Sequence, residues 1–222
     1  MKQDQIDFLI KANKGLAETN NKFFDENGYL VVKNLYDPEK LVENNVPGVR
    51  GQLNYFDNSL TNVRHIALES QVNGSLSRYA YPPYKSAHTD IKKIIEEKIG
   101  KKLYRTYYYD RFYFPGQELE KHVDRDSCEI SVSVHIGTNL NKKWEFELYA
   151  VNGEHKKISL MPGDGLLYKG CEICHWRSPM PGKLENSVRK FLNLGELYYH
   201  QIFFHYVLSE GHRSHHAFDA AI

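Results

Sequence analysis

Histidine and aspartate supply the nitrogen and oxygen donors that hold a catalytic metal, and this chain spaces three of them in an informative way. His122-Val123-Asp124 is followed some fifty residues later by His175, within Cys174-His175-Trp176-Arg177. Two imidazoles and one carboxylate form the facial donor set that binds non-haem Fe(II) and leaves positions open for substrate chemistry. Residues two apart on a β-strand share a face, so an H-x-D on a strand presents both side chains together. A third donor from a distant strand completes the set. His122, Asp124 and His175 are therefore the candidate metal ligands, and an oxygenase is the leading expectation.

The tripeptide alone is a weak signal, because roughly half an H-x-D is expected by chance in a chain of this composition. A second one exists, His88-Thr89-Asp90, at the start of a stretch whose isoleucine spacing predicts a helix ending at Gly100. There Thr89 or Asp90 reads as an N-cap. Side chains two apart on a helix diverge by about 200° and chelate one ion poorly. His88 is accordingly read as structural or as a surface residue.

Stepping along the chain, residues 4–25 carry Ile6, Phe8, Leu9, Leu16, Phe23 and Phe24 at helical spacing, and Gly28 ends the pattern. Tyr29–Val32 reads as a buried strand. Asp37-Pro38 opens a short helix, and the Asn-, Gly- and Pro-rich residues 45–63 read as a loop. From residue 101 the texture changes. Strands are expected over 103–114, 129–136, 145–151, 157–160, 165–168 and 199–208, with Ile130, Val132, Val134 and Ile136 alternating against Ser131, Ser133 and His135. Helices followed by many short strands predict a mainly β fold with buttressing helices around a double-stranded β-helix, a jelly-roll, cupin-like core. The expected organisation is one domain over 1–222: helical and loop support over 1–100, the core over 101–210 and a frayed tail over 211–222.

The 222 residues include 16 Tyr and 11 Phe, which favours β-structure, and the formal charge of +1 provides no whole-chain basic footprint for nucleic acid. No apolar run approaches the roughly 20 residues of a spanning helix. Met1-Lys2-Gln3-Asp4 opens no secretory leader, and the odd count of cysteines (Cys128, Cys171, Cys174) favours reduced thiols, so a cytoplasmic location is expected. Cys171-x-x-Cys174 has no second C-x-x-C to complete a zinc site and reads as a loop beside His175. His205 either lines the cavity or is a hydrogen-bonded core histidine, the plainer reading. Tyr79 to Tyr84 form either an aromatic wall for a proline-containing peptide or an ordinary packed loop.

Taken together, Tyr113-x-x-Gly116-x-x-x-x-x-His122-x-Asp124, then Pro162-Gly163-Asp164, then His175 resembles the Fe(II)- and 2-oxoglutarate-dependent dioxygenases, with a core pattern similar to prolyl 4-hydroxylases. Phe24 to Val32 resembles the opening of phytanoyl-type members, and the whole is similar to small oxygenases of marine phages and bacteria. The resemblance covers residues 24–208 in order. It implies Fe(II) on His122, Asp124 and His175, 2-oxoglutarate and O2 as cosubstrates, and Tyr113 touching 2-oxoglutarate. It implies hydroxylation of an unactivated C–H bond, in a small molecule or a peptide and in first place at a prolyl residue, with succinate and CO2 as coproducts. The family also carries a basic residue eight to twelve positions after the second histidine, to grip the distal carboxylate of 2-oxoglutarate. Here that window holds Lys183, in a Gly-, Pro- and Asn-rich stretch that reads as a loop.

Strand geometry offers another anchor. If His175-Trp176-Arg177 is extended, His175 and Arg177 point the same way about 6.7 Å apart, close to the length of 2-oxoglutarate. A guanidinium suits a bidentate grip on a carboxylate. Arg111, two residues before Tyr113, is the second candidate, and Gln201 shares the face of His205 and could reach cosubstrate or substrate. The rival readings are a non-catalytic jelly-roll binding module and a cupin-type metalloenzyme that does not use 2-oxoglutarate.

Overall fold

The computed structural model describes residues 18–41, 64–66 (backbone only) and 71–217. The loop expected over 45–63, and residues 4–17 of the first expected helix, lie outside the described residues. What remains of that helix is α1 (Lys22–Asn27), capped by the Asn21 side chain and ended by Gly28 at φ 78°, a left-handed conformation that glycine adopts without a Cβ penalty.

Among the described residues eleven strands follow in two antiparallel sheets: β1 (Tyr29–Val32), β2 (Arg64–Ile66), β3 (Leu76–Tyr79), β4 (Leu103–Tyr113), β5 (Leu119–His122), β6 (Ile130–Thr138), β7 (Phe146–Tyr149), β8 (His155–Ile158), β9 (Gly165–Tyr168), β10 (His175–Arg177) and β11 (Tyr199–Leu208). The larger sheet runs β1-β9-β6-β11-β4-β3-β2 and the smaller β5-β10-β7-β8. This is the expected mainly β, jelly-roll core. β1 is the strand expected at Tyr29–Val32, while β2 and β3 are two strands of the larger sheet that the sequence pattern did not mark.

Alternation decides which side of that sheet faces what. Ile130, Val132, Val134 and Ile136 of β6, with Ile202, Phe204 and Tyr206 of β11, pack against the helix α2 (Lys85–Ile99), which contributes Ala87, Ile91, Ile95 and Ile99. Burying each such isoleucine is worth about 1.5–3 kcal/mol. Ser131, Ser133 and His135, and Gln201 and His205, occupy the alternate positions, and all are buried. The polar set of both strands therefore lies on the face away from the helix.

Three local expectations need correction. The helix α2 starts at Lys85, after a 3-10 turn at Pro82–Tyr84, so Thr89 and Asp90 lie inside it and neither is its N-cap. Lys183 is not in a loop but opens a third helix, α3 (Lys183–Phe191). The tail is tied down at Arg213, which is buried with its Nε donating to Asp126 at 2.9 Å, while His212 and His215 are exposed. Asp37 does cap the short turn Pro38–Lys40, as expected. Among the described residues no helix is long and apolar enough to cross a membrane.

Candidate metal centre and cosubstrate chamber

Strands β5 and β10 are neighbours in the smaller sheet, and His122 and His175 are Cα partners across that pair. Their rings lie 4.3 Å apart. Asp124 arrives differently from the expectation. β5 ends at His122, so Asp124 lies beyond the strand, where its amide donates to Gly170 O at 2.8 Å. Gly170 in turn donates to Glu129 O, which ties the H-x-D turn to the segment leading into β10. No side chain fits at Gly170: a Cβ there would meet Cys128 O at 2.2 Å and Asp124 Oδ2 at 2.6 Å.

The three side chains converge. The Nε2 atoms of His122 and His175 each lie 3.5 Å from Asp124 Oδ1, and a donor atom from each residue falls within 4.8 Å of the others. Ligands at right angles on one ion, each at about 2.1 Å, would be about 3 Å apart. His122 Nδ1 donates to Glu120 O at 2.7 Å and His175 Nδ1 to Ile173 O at 2.8 Å. A backbone carbonyl only accepts, so Nδ1 carries the proton and Nε2 of the neutral ring presents a lone pair. Burial and the neighbouring His122 push the His175 imidazole below its ordinary value, against the pull of Asp124. Burial works to raise Asp124, but the charges and hydrogen bonds of His175 and His122 outweigh it and hold the carboxyl well below its usual range. An ionised carboxylate facing unprotonated nitrogens is the donor state a divalent cation requires, so these residues fit a metal.

Two residues beside this cluster had escaped the sequence reading. Ser131 donates to Asp124 Oδ2 at 3.0 Å and is joined to His205 Nδ1 at 2.9 Å, leaving Oδ1 as the carboxylate oxygen turned to the histidines. Its only signal in the sequence was membership of the polar half of the β6 alternation. His205 is both a hydrogen-bonded core histidine and part of the wall beside Asp124; burial lowers it to about 4. Gln71 has no sequence signature. Its amide nitrogen lies 3.1 Å from His122 Nε2, and its oxygen accepts from Arg111 at 2.9 Å.

Arg177, on the same strand as His175, is 1 % exposed. Its guanidinium lies 4.5 Å from the ring of Trp144 and 4.6 Å from that of Tyr199. Nη1 donates to Trp144 O and Nη2 to Gln201 Oε1, each within 2.9 Å. Arg177 Nε and Gln201 Nε2 are buried donors with no hydrogen-bond partner among the described residues. Trp144 and Tyr199 also border a cavity of about 300 Å3, with His135 and Leu160 on its other sides. Arg111 is buried but committed: it donates to Ser77, Tyr113 and Gln71. Tyr113 is buried and meets Trp144 edge-on at 5.0 Å. Lys183 stays exposed, its stem lying over Gly116. The structure thus joins Arg177 with Gln201 and Arg111 with Tyr113, and leaves Lys183 outside both groups. The three cysteines are buried and unbridged.

No protein-family model and no curated protein matches the chain. Solved structures do. The non-haem α-ketoglutarate-dependent epimerase SnoN of nogalamycin biosynthesis is 10% identical with a TM-score of 0.58, over 94% of this chain and 84% of that one. A Trichoplax adhaerens prolyl hydroxylase in complex with a peptide from hypoxia inducible factor is 14% identical with a TM-score of 0.55, over 93% and 94%. HygX from Streptomyces hygroscopicus, with nickel and 2-oxoglutarate bound, is 12% identical with a TM-score of 0.55, over 85% of each chain. Through most of its length, this chain has the double-stranded β-helix fold of the Fe(II)- and 2-oxoglutarate-dependent oxygenases.

Proposed function

We propose that this protein is an Fe(II)- and 2-oxoglutarate-dependent oxygenase, with residues 1–222 serving one oxygenase domain. The observation that carries the reading is the convergence of His122 Nε2, His175 Nε2 and Asp124 Oδ1, with both Nδ1 atoms held by backbone carbonyls. In this reading those three residues hold Fe(II). The bound iron supplies oxygen activation, coupled to decarboxylation of 2-oxoglutarate to succinate and CO2. The chain's own contribution is placement and exclusion of water. Arg177 grips the distal carboxylate of 2-oxoglutarate, because its unpaired Nε and the unpaired Nε2 of Gln201 are donors awaiting an acceptor. Arg111 has no such surplus and orients Tyr113 instead.

The proposed substrate is an unactivated C–H bond of a peptide or small molecule, with a prolyl residue first in line. The peptide held by the Trichoplax neighbour supports a peptidyl substrate. So does an aromatic face of near-parallel rings, in which Tyr79 stacks on Tyr109 at 4.7 Å and Tyr109 on Tyr107 at 6.0 Å, with Arg125 over Tyr107. Tyr79 and Tyr107 are its half-buried members, and tyrosines of this kind line the grooves that take proline-rich segments.

Anaerobic titration with Fe(II) and then 2-oxoglutarate tests the reading. A visible charge-transfer band that requires both additions is the expected result. Iron binding without any band on adding 2-oxoglutarate would favour a cupin-type metalloenzyme, and no iron binding would favour a binding module. Adding proline-containing peptides should then accelerate succinate formation; stimulation by small molecules alone would move the substrate class.

A further inference from the structure

The helix α3 is amphipathic in the wrong direction for a monomer. Its one buried residue is polar: Asn186, whose Oδ1 accepts from Leu197 N at 2.7 Å. Its apolar residues face out, with Leu184 80% exposed, Val188 50% and Phe191 89%, continued by Leu192 at 55% and Leu194 at 58%. The helix is not free to roll and bury them. Arg189 donates to the carbonyls of Leu194 and Gly195, and Lys190 pairs at 2.6 Å with Glu196, which is buried. Rolling would strand Asn186 and Glu196 without partners, at a cost of about 1–3 kcal/mol for each buried group. Together these five exposures amount to roughly 600 Å2, at the top of the range for the largest patch on a monomer. That area approaches the ~800 Å2 that each partner contributes to a stable interface.

We propose that this face is covered by the same face of a second copy, α3 against α3, antiparallel about a two-fold axis through Val188. The spacing suits self-pairing. Leu184, Val188 and Leu192 recur every fourth residue, so a two-fold through Val188 sets Leu184 of each copy against Leu192 of the other. Rows of that spacing interdigitate at a crossing of about 50°, which lets two bulky domains meet through a short helix. Charge selects the antiparallel sense. Glu185 lies in the first turn and Arg189 in the last, so antiparallel packing brings opposite charges together and opposes the helix dipoles. A parallel pair would place Glu185 beside Glu185. An anionic bilayer is a poorer occupant, because Glu185 opposes it and Glu196 already neutralises Lys190. The proposal does not depend on the assignment of the metal centre.

Sedimentation velocity over a concentration series to tens of micromolar tests it. The wild-type chain should sediment at twice its 25.9 kDa. Val188→Glu places like charges across the axis and should weaken association at least about thirtyfold, with an unchanged far-UV circular dichroism spectrum because Val188 is half-exposed in the single chain. Independently, Val188→Cys should form a disulfide-linked dimer on mild oxidation, while the buried native thiols stay unreacted. A wild-type chain that is monomeric throughout overturns the proposal. So does an unweakened Val188→Glu dimer, or a monomer that instead co-sediments with phosphatidylserine vesicles through this face.

Discussion

The chain contains the same tripeptide pattern twice, and the two copies have opposite fates. In His88-Thr89-Asp90 the helix turns the two side chains apart. His88 is buried, donates through Nε2 to His205 O at 3.1 Å and packs against Tyr108, Phe204 and Tyr206. Asp90 faces solvent and pairs with Lys93. In His122-Val123-Asp124 the chain leaves a strand at the histidine and turns, so both side chains meet His175. Composition is identical at the informative positions. Backbone path and the partner strand decide whether the pattern forms a centre.

The largest effect that could break this contrast concerns metal. Ala at His122, Asp124 or His175 should lower Fe(II) affinity by more than the ~10–100-fold typical of outer-shell changes, and remove iron-dependent succinate formation. The double variant His88→Ala, Asp90→Ala should retain full iron stoichiometry by equilibrium dialysis in whatever fraction remains folded. The reverse pattern would mean that the helical tripeptide binds the metal.

The third ligand that joins the 122–124 tripeptide, His175, has Arg177 two residues further along its own strand. Arg177→Ala should raise the Michaelis constant for 2-oxoglutarate at least tenfold, because losing one partner of a desolvated charge pair costs about 2–5 kcal/mol. Arg177→Lys should recover part of the loss, a point charge replacing a planar fork. Iron affinity should hardly move. A larger effect from Lys183→Ala or Arg111→Ala than from Arg177→Ala would relocate the anchor.

The helical tripeptide should matter for stability instead, in a pH-dependent way. Burial lowers His88 to about 3, outweighing the hydrogen bond to His205 O. An unfolded histidine titrates near 6.5. Above that value neither state binds the proton, and the neutral ring costs nothing. As pH falls from about 6.5 toward 3 the unfolded chain takes up a proton that the folded state refuses, so stability drops by up to ~1.4 kcal/mol per pH unit, about 2 kcal/mol at pH 5. His88→Gln should flatten this part of the pH–stability curve in denaturant titrations. An equally steep curve would mean that other groups carry the acid sensitivity.

Much of this arrangement was legible because the two periodicities are so different. The alternation in β6, and the aromatic run of β11, locate strands to within two residues, since each strand separates a helix-facing row from an inward polar row. The isoleucines of α2 mark its buried face, but not its start. Pro82-Pro83 feeds a 3-10 turn into the helix without a side-chain cap, and the Thr89 hydroxyl that looked like a cap donates back to Lys85 O. In α3, Pro181, Gly182 and Asn186 read as turn residues, although Leu184, Val188 and Phe191 carry helical spacing. Gly182, at φ 98°, supplies the left-handed entry to the helix. Gln71 was invisible, because its role comes from two tertiary contacts and from no pattern of its own.

A smaller effect separates the two aspartates by their support. Asp124 has Ser131 on its second oxygen, backed by His205. Ser131→Ala should lower iron affinity about tenfold, in line with outer-shell losses, without changing the Michaelis constant for 2-oxoglutarate. Gly170→Ala should act in the same direction by pushing Asp124 and Ser131 apart. Unaltered affinity in both variants would show that the carboxylate needs no outer support.

The smallest expected effect belongs to Asp90 alone. Had it been an N-cap, replacing it by Ala would remove a satisfied backbone donor and cost about 1 kcal/mol. In the structure it lies six residues into α2, is half-exposed, and makes one 3.4 Å contact with Lys93, three residues along the same surface. Exposed pairs at this spacing contribute about 0.2–0.5 kcal/mol and weaken in salt. Helix propensity works the other way, since Ala is a better interior residue than Asp by up to about 0.7 kcal/mol. The two terms nearly cancel, so Asp90→Ala should shift the denaturation midpoint hardly at all in low salt and slightly upward in high salt. A loss near 1 kcal/mol, insensitive to salt, would show that Asp90 does bond to a backbone amide and that the helix starts where the sequence pattern first placed it.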